Sequence, residues 1–491
     1  MAKPAADPSD WLTTAEAAAW LGVKRETLYA YVSRGLVKSR LAPAAAAAQA
    51  RGRGERRYRR ADLEPLRARS AGPAASALRY GEPVLETRIT QMTAAGPAYR
   101  GRLATDLVRE GHSFEAVAEL LWRGELPTAR PRWEAGAPAR ARSSLKSALP
   151  RALPTAMPSA SPAVSPTASP TASPTASLAA SLAGSQGTLA TALPRKEAAR
   201  ALASREFARL LRGAAAGPGQ QLPGVLQVLA LALPLLAAAD PLRFDAEPPA
   251  VLARARFLVP LLAASVALAV DARRLPAALD TADPVLALAR ALGVPERKRK
   301  AMEVLRTALI LTADHELNAS TFAARVAAST GASLHACLSA ALAAFSGPRH
   351  GGASEQVEWL VREAGEPARA AATVGERLRR GERLPGFGHP LYPLGDPRVP
   401  PLGDSAIALA PRSPRLRTVL AVADAVQATG RPKPNVDVAI AAACAALELP
   451  LGFGPALFAI GRTAGWVAHV LEQQASPAVL RPRARFVGED E

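Results

Sequence analysis

The sequence predicts a mainly α-helical protein made of two or more folded units. Length is the first reason: 491 residues exceed what a single hydrophobic core usually organises. Composition is the second. Hydrophobic residues make up 49%, yet only 4% are aromatic, and alanine supplies much of the remainder. Alanine-rich, valine-poor stretches favour helix over strand, because alanine gives up no side-chain entropy in a helix. The third is punctuation. From Arg195 to Ala344 almost every residue is a helix former, interrupted by Pro, Gly and Asp.

Formal net charge is +19 and the isoelectric point is near 10.9. That balance points to anionic partners, either nucleic acid, phosphorylated cofactors or carboxylate substrates, or else to a general arginine bias of the genome. Cys337 and Cys444 sit in apolar helical contexts and read as buried thiols, not as a disulfide framework or a metal site. No metal ligand set is expected. The N-terminus carries Asp7 and Asp10 and no apolar core segment, so no signal peptide is expected. The most apolar run, Leu222 to Asp240, is broken by Pro and Ala and reads as a buried helix, not a membrane span. The expected location is cytoplasmic, with no membrane contact.

Residues 1–70 read as a separate unit. Thr13-Thr14-Ala15-Glu16 has the form of a capping box, with Thr13 as N-cap and Glu16 at N3. A short helix then runs to Trp20-Leu21, Gly22 turns the chain, and a second helix starts at Lys24-Arg25 and stops near Gly35. This is helix–turn–helix geometry with a basic start to its second helix. From Arg51 to Arg60, six of ten residues are arginine. The pattern resembles winged helix–turn–helix domains of the MerR and excisionase type. Residues 1–70 hold fourteen Lys/Arg against seven Asp/Glu, a local excess that favours DNA as partner. Lys24, Arg25, Thr27 and Tyr31 are the expected contacts of the second helix, and Arg56, Arg57 and Arg59 those of the wing. The alternative is a helical domain that serves only oligomerisation.

A linker is expected at 71–80. Beyond it, Phe114 to Leu121 forms a helix that ends at Gly124-Glu125-Leu126-Pro127, and His112 just before it reads as a capping or surface residue. Residues 135–195 break the pattern, with Ser165-Pro166-Thr167-Ala168 repeated through Ser177. Such Ser/Pro/Thr/Ala sequence lacks the apolar side chains that offset ordering entropy, so a disordered insertion is expected. Phe257 to Leu268 and Met302 to Leu311 are expected core helices. His335 and His469 lie on apolar helices and read as satisfied core histidines.

The chemistry concentrates further on. Gly347-Pro348-Arg349-His350-Gly351-Gly352 is followed by Gly386-Phe387-Gly388-His389-Pro390-Leu391-Tyr392-Pro393-Leu394-Gly395-Asp396-Pro397-Arg398, and then by Pro434-Asn435-Val436-Asp437. The chain has six histidines, and two of them stand in these turns. Two histidines and a carboxylate on Gly/Pro-framed turns are the parts needed for acid–base work at a carbonyl. Together with Asp314-His315-Glu316-Leu317-Asn318-Ala319-Ser320-Thr321, Gly461-Arg462 and Arg481-Pro482-Arg483, these segments closely resemble citrate synthases, from about residue 85 to 491 with one interruption.

The resemblance implies a two-domain helical fold, with a large domain over 81–350 and 443–491 and a smaller one over 351–442 that closes on it. It implies condensation of acetyl-CoA with oxaloacetate to citrate, with no permanently bound cofactor and acetyl-CoA as co-substrate. Asp437 would be the base, His350 the donor to the thioester oxygen, and His389 the partner of the oxaloacetate carbonyl. Arg398, Arg462 and Arg481, with His315, would hold the carboxylates, since guanidinium forks match them bidentately. Arg481 would come from the partner subunit, so a homodimer is expected. Leu384, Pro385, Gly386, Phe387 and Gly388 would cradle the adenine of CoA, and Arg431-Pro432-Lys433 would attract its phosphates or simply be solvated. Val438 stands where the family often has an aromatic residue, a position that could shape the acyl pocket. Arg483 and Arg485 compete with Arg481 for the shared position. Taken one at a time the bland readings hold, with Asp437 as a helix N-cap and Arg398 as a turn residue. Two alternatives remain open: a 2-methylcitrate synthase using propionyl-CoA, and a transcription regulator whose synthase fold senses metabolites.

Overall fold

The computed structural model describes residues 11–21, 28–29, 32, 37, 39–41, 56–59, 63, 85–133, 200–214 and 224–482. Lys24, Arg25, Thr27, Tyr31, the 71–80 linker and the 135–195 insertion lie outside them. The chain divides into two compact units, Met1–Glu86 with Pro482–Glu491, and Thr87–Arg481.

In the first unit, β1 (Trp11–Thr13) runs into α1 (Thr14–Leu21), followed by β2 (Ser39–Leu41) and β3 (Arg56–Arg59). The capping box forms as expected: Glu16 N donates to Thr13 Oγ1 at 3.3 Å, and Thr13 N donates to Glu16 Oε2 at 2.8 Å. The strands pair antiparallel in the order β1-β3-β2, with Tyr58 opposite both Leu12 and Ser39. Tyr58 is buried in a small core with Ala17, Ala18, Leu28, Val37 and Leu63. Strand alternation then places Arg57 and Arg59 on the opposite face of β3.

The second unit opens with an antiparallel meander, β4 (Thr90–Thr93), β5 (Gly96–Tyr99) and β6 (Arg102–Leu103). α2 (Ala104–Arg109) and α3 (Phe114–Arg123) follow. Ser113, not His112, caps α3, its Oγ accepting from Ala116 N at 3.2 Å; His112 turns to Glu110 instead. Next come α4 (Arg205–Ala214), α5 (Val225–Ala238), α6 (Pro248–Ser265), α7 (Ala267–Val270), α8 (Leu275–Leu279) and α9 (Pro284–Leu292). The run read as a buried helix at 222–240 is α5. Among the described residues only Pro248–Val270 is long and apolar enough to cross a membrane, and it is packed inside the core. The site-bearing helices follow: α10 (Arg299–Thr312), α11 (Ala319–Ser329), α12 (Leu334–Phe345) and α13 (Gly352–Ala364). The rest are α14 (Ala370–Arg379), α15 (Val399–Leu409), α16 (Pro414–Ala428), α17 (Val436–Ala446) and α18 (Gly454–Gln474).

One large core takes in side chains from α2 through α12 and from α18, which is buried along nearly its whole length. Smaller cores join α13, α14 and α16. α17 serves both sides. Val436, Ala439, Ile440, Ala443 and Cys444 face the large core, while Val438, Ala441, Ala442 and Ala445 face a smaller one. The domain boundary expected at 442–443 therefore falls inside a continuous helix, because alanine-rich sequence lets two packed layers close on one thin helix.

Candidate active site

The turn between α10 and α11 carries His315. Asn318 caps α11, its side chain accepting from Thr321 N at 3.1 Å. Ser320 Oγ donates to Asn318 Oδ1 at 2.7 Å and accepts from Trp466 Nε1 at 3.1 Å. This set of oxygens meets the ring of His350, which stands between α12 and α13. Its Nε2 lies 2.8 Å from Ser320 Oγ and 3.2 Å from Asn318 Oδ1. Ser320 spends its proton on Asn318, so Nε2 is the protonated nitrogen and donates to both.

Gly386 and Gly388 adopt φ of 85° and 81°, a backbone that side chains resist. A Cβ on Gly386 would also lie 2.6 Å from Val357 and 2.7 Å from Val438. Asn435 N donates to Gly386 O at 2.8 Å, Gly388 N donates to Lys433 O at 2.9 Å, and Asn435 Nδ2 donates to Gly388 O at 3.1 Å. The turn is thus tied to the residues leading into α17. Of the five residues expected to cradle adenine, Gly386 has its carbonyl and Gly388 both main-chain groups engaged internally.

His389 follows directly. Its Nδ1 accepts from Leu391 N at 3.2 Å, which leaves the proton on Nε2. His315 meets both His389 and Tyr392 edge to face: the two histidine rings are 5.1 Å apart, and His315 Nε2 lies 3.1 Å from Tyr392 Oη. Arg398, buried, grips Asp396 through Nε (2.9 Å) and Nη2 (2.7 Å). Asp396 Oδ2 also accepts from Val436 N at 3.0 Å, linking this pair to the start of α17.

Asp437 stands in the first turn of α17. It is not the N-cap, since Asn435 fills that place and accepts from Asp437 N at 2.9 Å. Its carboxylate is left for other work, and Oδ1 accepts from Ser354 Oγ at 2.6 Å. Arg462 comes from α18, with Nε donating to Thr312 O at 2.7 Å and its guanidinium 5.0 Å from the Phe458 ring centre.

Electrostatics bind these groups into one site. Asp437 keeps some solvent contact, yet protein crowds its carboxyl closely. Burial pushes it up to about 6, against the Ser354 hydrogen bond and the charges of Arg398 and Arg462. Burial pushes His350 and His389 down to about 4, helped by Arg462 and Arg398 respectively. His315 is lowered well below the usual imidazole range by burial, then by Arg398 and Arg462. All three histidines are therefore neutral at pH 7, beside one raised carboxyl and two buried guanidinium groups.

His315, His350, His389, Arg398, Asp437 and Arg462 are brought together as the sequence suggested. Arg481, expected to serve a partner subunit's site, is exposed, just after Leu480, whose amide donates to Ser329 Oγ at 3.0 Å. Val438 follows Asp437 on α17. Its side chain packs into a smaller core against the Gly386 turn, because it points to the opposite side of α17 from the large core. His469 is satisfied, between Asp314 and Arg325. His335 is buried but its Nδ1 has no hydrogen-bond partner among the described residues, and burial, opposed by the charge of Asp240 and helped by those of Arg254 and Arg243, pushes it down to about 4, so it remains neutral. Ser320, Ser354, Tyr392, Asp396 and Trp466 went without roles in the sequence reading. Three of them lie inside the quoted motifs, which was the available signal.

The family described as "Citrate synthase, C-terminal domain" matches residues 79–206 and 186–483. The chain belongs to the citrate synthase family. Residues 11–69 match the family described as "Helix-turn-helix domain". Among curated citrate synthase relatives, "Citrate synthase 2" of Bacillus subtilis is 38% identical over 192 residues, 38% of this chain and 52% of the relative. "2-methylcitrate synthase 1" of Corynebacterium glutamicum is 38% identical over 186 residues, 37% of this chain and 49% of the relative. The chain thus matches about half the length of these relatives. The fold is that of solved citrate synthases. The enzyme from Thermotoga maritima aligns over 83% of this chain and 94% of its own, with a TM-score of 0.55 and 24% identity. The Thermoplasma acidophilum enzyme, solved as a ternary complex with carboxymethyl coenzyme A and oxaloacetate, covers 83% and 95%, with a TM-score of 0.57 and 22% identity.

Proposed function

We propose that this chain condenses an acyl-CoA with oxaloacetate and water to give a citrate-type tricarboxylate and free CoA. One observation carries the reading: a carboxyl raised to about 6, Asp437, shares a site with neutral histidines and two buried arginines. Removing a proton from the weakly acidic carbon next to a thioester needs a base of that strength held out of water, and a donor on the carbonyl oxygen. Asp437 takes the proton. His389, with its Nε2 protonated and neutral, donates to the oxaloacetate carbonyl as the new C–C bond forms. Arg398, Arg462 and His315 hold the carboxylates. His350 donates to the thioester oxygen once its ring turns away from Ser320 and Asn318, which accept its Nε2–H hydrogen bond in the resting arrangement. Water then cleaves the thioester, releasing CoA.

Acetyl-CoA is the proposed donor. Propionyl-CoA is kept as the second reading because relatives of both names match equally well. Leu384, Pro385 and Phe387 provide the main-chain groups for adenine. Arg481 completes the site of a partner subunit in a cytoplasmic homodimer. The helix–turn–helix match supports DNA binding by residues 10–70, and with it the regulator reading. The test is release of CoA thiol from purified protein given oxaloacetate with acetyl-CoA or propionyl-CoA, with product mass. Turnover with neither donor would leave the regulator reading in its place.

A further inference from the structure

Beneath His315 and Arg462 lies a buried charge that the proposed chemistry does not use. Asp314 has no solvent exposure. Its Oδ2 accepts from Glu316 N at 3.1 Å and faces His469 Nε2 at 3.4 Å. His469 is equally buried and turns its Nδ1 toward Arg325 Nη1 at 3.5 Å. Arg325 in turn donates to Glu472 at 2.7 Å and to Gln473 at 2.9 Å. Burying a carboxylate is costly unless it is paired and hydrogen-bonded, and burial does work to raise Asp314; His469 and Arg462 nevertheless hold it below the usual carboxylate range.

The fold makes room for this group. A Cβ on Gly465 would lie 2.3 Å from Asp314 Oδ1 and 2.4 Å from Ala313 O, so only glycine lets α18 come so close. Tyr99 closes the turn from β5. Its Oη sits 3.0 Å from Ile310 O and 3.2 Å from Asp314 O, and Asp314 N donates to it at 3.3 Å. The clamped turn supplies the site twice, because Thr312 O accepts from Arg462 Nε and His315 follows Asp314 directly. The two buried arginines are also treated differently. Arg398 is gripped by Asp396, whereas among the described residues Arg462 has no direct ion pair and is balanced at a distance by Asp314.

Resting on the oxaloacetate reading of this site, we infer that Asp314 and Tyr99 are positioning residues for the dicarboxylate. Asp314 offsets the charge of Arg462 without occupying its Nη atoms, and Tyr99 locks the turn that presents both Thr312 O and His315. The guanidinium fork and the imidazole then stand ready for one substrate carboxylate before it arrives, so little ordering is left to the binding step. Among the described residues no hydrogen bond joins Asp314 or Tyr99 to His350 or Asp437, so the thioester side feels this clamp only through the charge of Arg462.

The experiment is calorimetric titration of the full-length protein with oxaloacetate alone, beside steady-state kinetics and melting. Asp314→Asn is nearly isosteric and keeps an acceptor for Glu316 N, and Tyr99→Phe keeps the ring. Oxaloacetate Kd and KM are expected to rise roughly tenfold in Asp314→Asn and several-fold in Tyr99→Phe, as for loss of one buried polar contact. KM for the thioester should stay within about twofold in both. Unchanged or tighter oxaloacetate binding overturns the inference, as does an equal loss for both substrates that tracks a lowered melting temperature. If Asp314→Asn does not fold, Tyr99→Phe and His469→Gln decide by the same criterion. Failure of the unmodified protein to bind oxaloacetate overturns the dicarboxylate reading, and the inference with it.

Discussion

Asp437 sets the pH behaviour of the site. Burial pushes its carboxyl up to about 6, while His350 and His389 are pushed down to about 4 and His315 is lowered as well, so of these four groups the base is the one that changes charge just below neutral pH. Only the deprotonated form accepts a proton, so kcat/KM for the acyl-CoA should rise with pH through a midpoint near 6 and level off above it. Ser354 donates to Asp437 Oδ1 and so stabilises the charged form. Ser354→Ala removes that donor, and the midpoint should move to higher pH. A midpoint that stays put in the variant would show that another group governs the limb. Asp437→Asn keeps the shape and removes the base, and turnover should fall by about 10²–10⁴-fold while oxaloacetate binding survives on the arginines. Near-normal turnover in that variant would remove Asp437 from the mechanism.

The helices place these groups through close approach. Gly461 and Gly465 lie one turn apart on α18 and face the end of α10. A Cβ at 461 would sit 2.1 Å from Thr312 Oγ1 and 2.7 Å from Leu309 O, and the backbone oxygen cannot swing away. Gly461→Ala should therefore push α18 off α10 and cost about 1–3 kcal/mol, read as a lower denaturant midpoint at unchanged slope. It should also weaken oxaloacetate binding, since Arg462 is the next residue. Stability equal to the unmodified protein would mean the two helices are not locked here. Elements of this kind were legible only in part. Thr13 with Glu16 and the apolar run at 222–240 announced their helices, because caps and apolar runs are local signals. The double-faced packing of α17 was not legible, since a run of alanines carries no periodicity to say which side is buried. Asp396 gave no warning either. Two residues before Arg398 in a Pro-framed turn, it reads as solvated until the fold buries both and closes the bidentate pair.

At the scale of the whole molecule, the proposed dimer and the proposed DNA-binding head make separate demands. If Arg481 completes the partner's site, mixing Asp437→Asn and Arg481→Ala proteins should restore part of the activity after subunit exchange, because one hybrid site regains both groups. No recovery despite demonstrated exchange would end the shared-site reading. In the head, β3 is the candidate contact strand. Tyr58 anchors it inward, so Arg57 and Arg59 fall together on the other face of a strand inside a three-stranded sheet, as a wing that tracks a phosphate backbone requires. Such contacts position a protein without reading sequence, and each releases counterions, so binding to duplex DNA should weaken steeply with salt. Arg57 and Arg59 replaced together by Ala should lower affinity evenly across sequences and flatten the logarithmic salt slope by about 2, whereas Arg56, which alternation places on the Tyr58 face, should add little. Arg25, at the start of the second helix, should behave differently: Arg25→Ala should erode discrimination between sequences, because base contacts in the major groove carry specificity. Fluorescence anisotropy on several duplexes across a salt series separates the two effects. If the intact protein does not bind DNA even at low salt, residues 10–70 serve protein contacts instead, and the regulator reading falls with the wing.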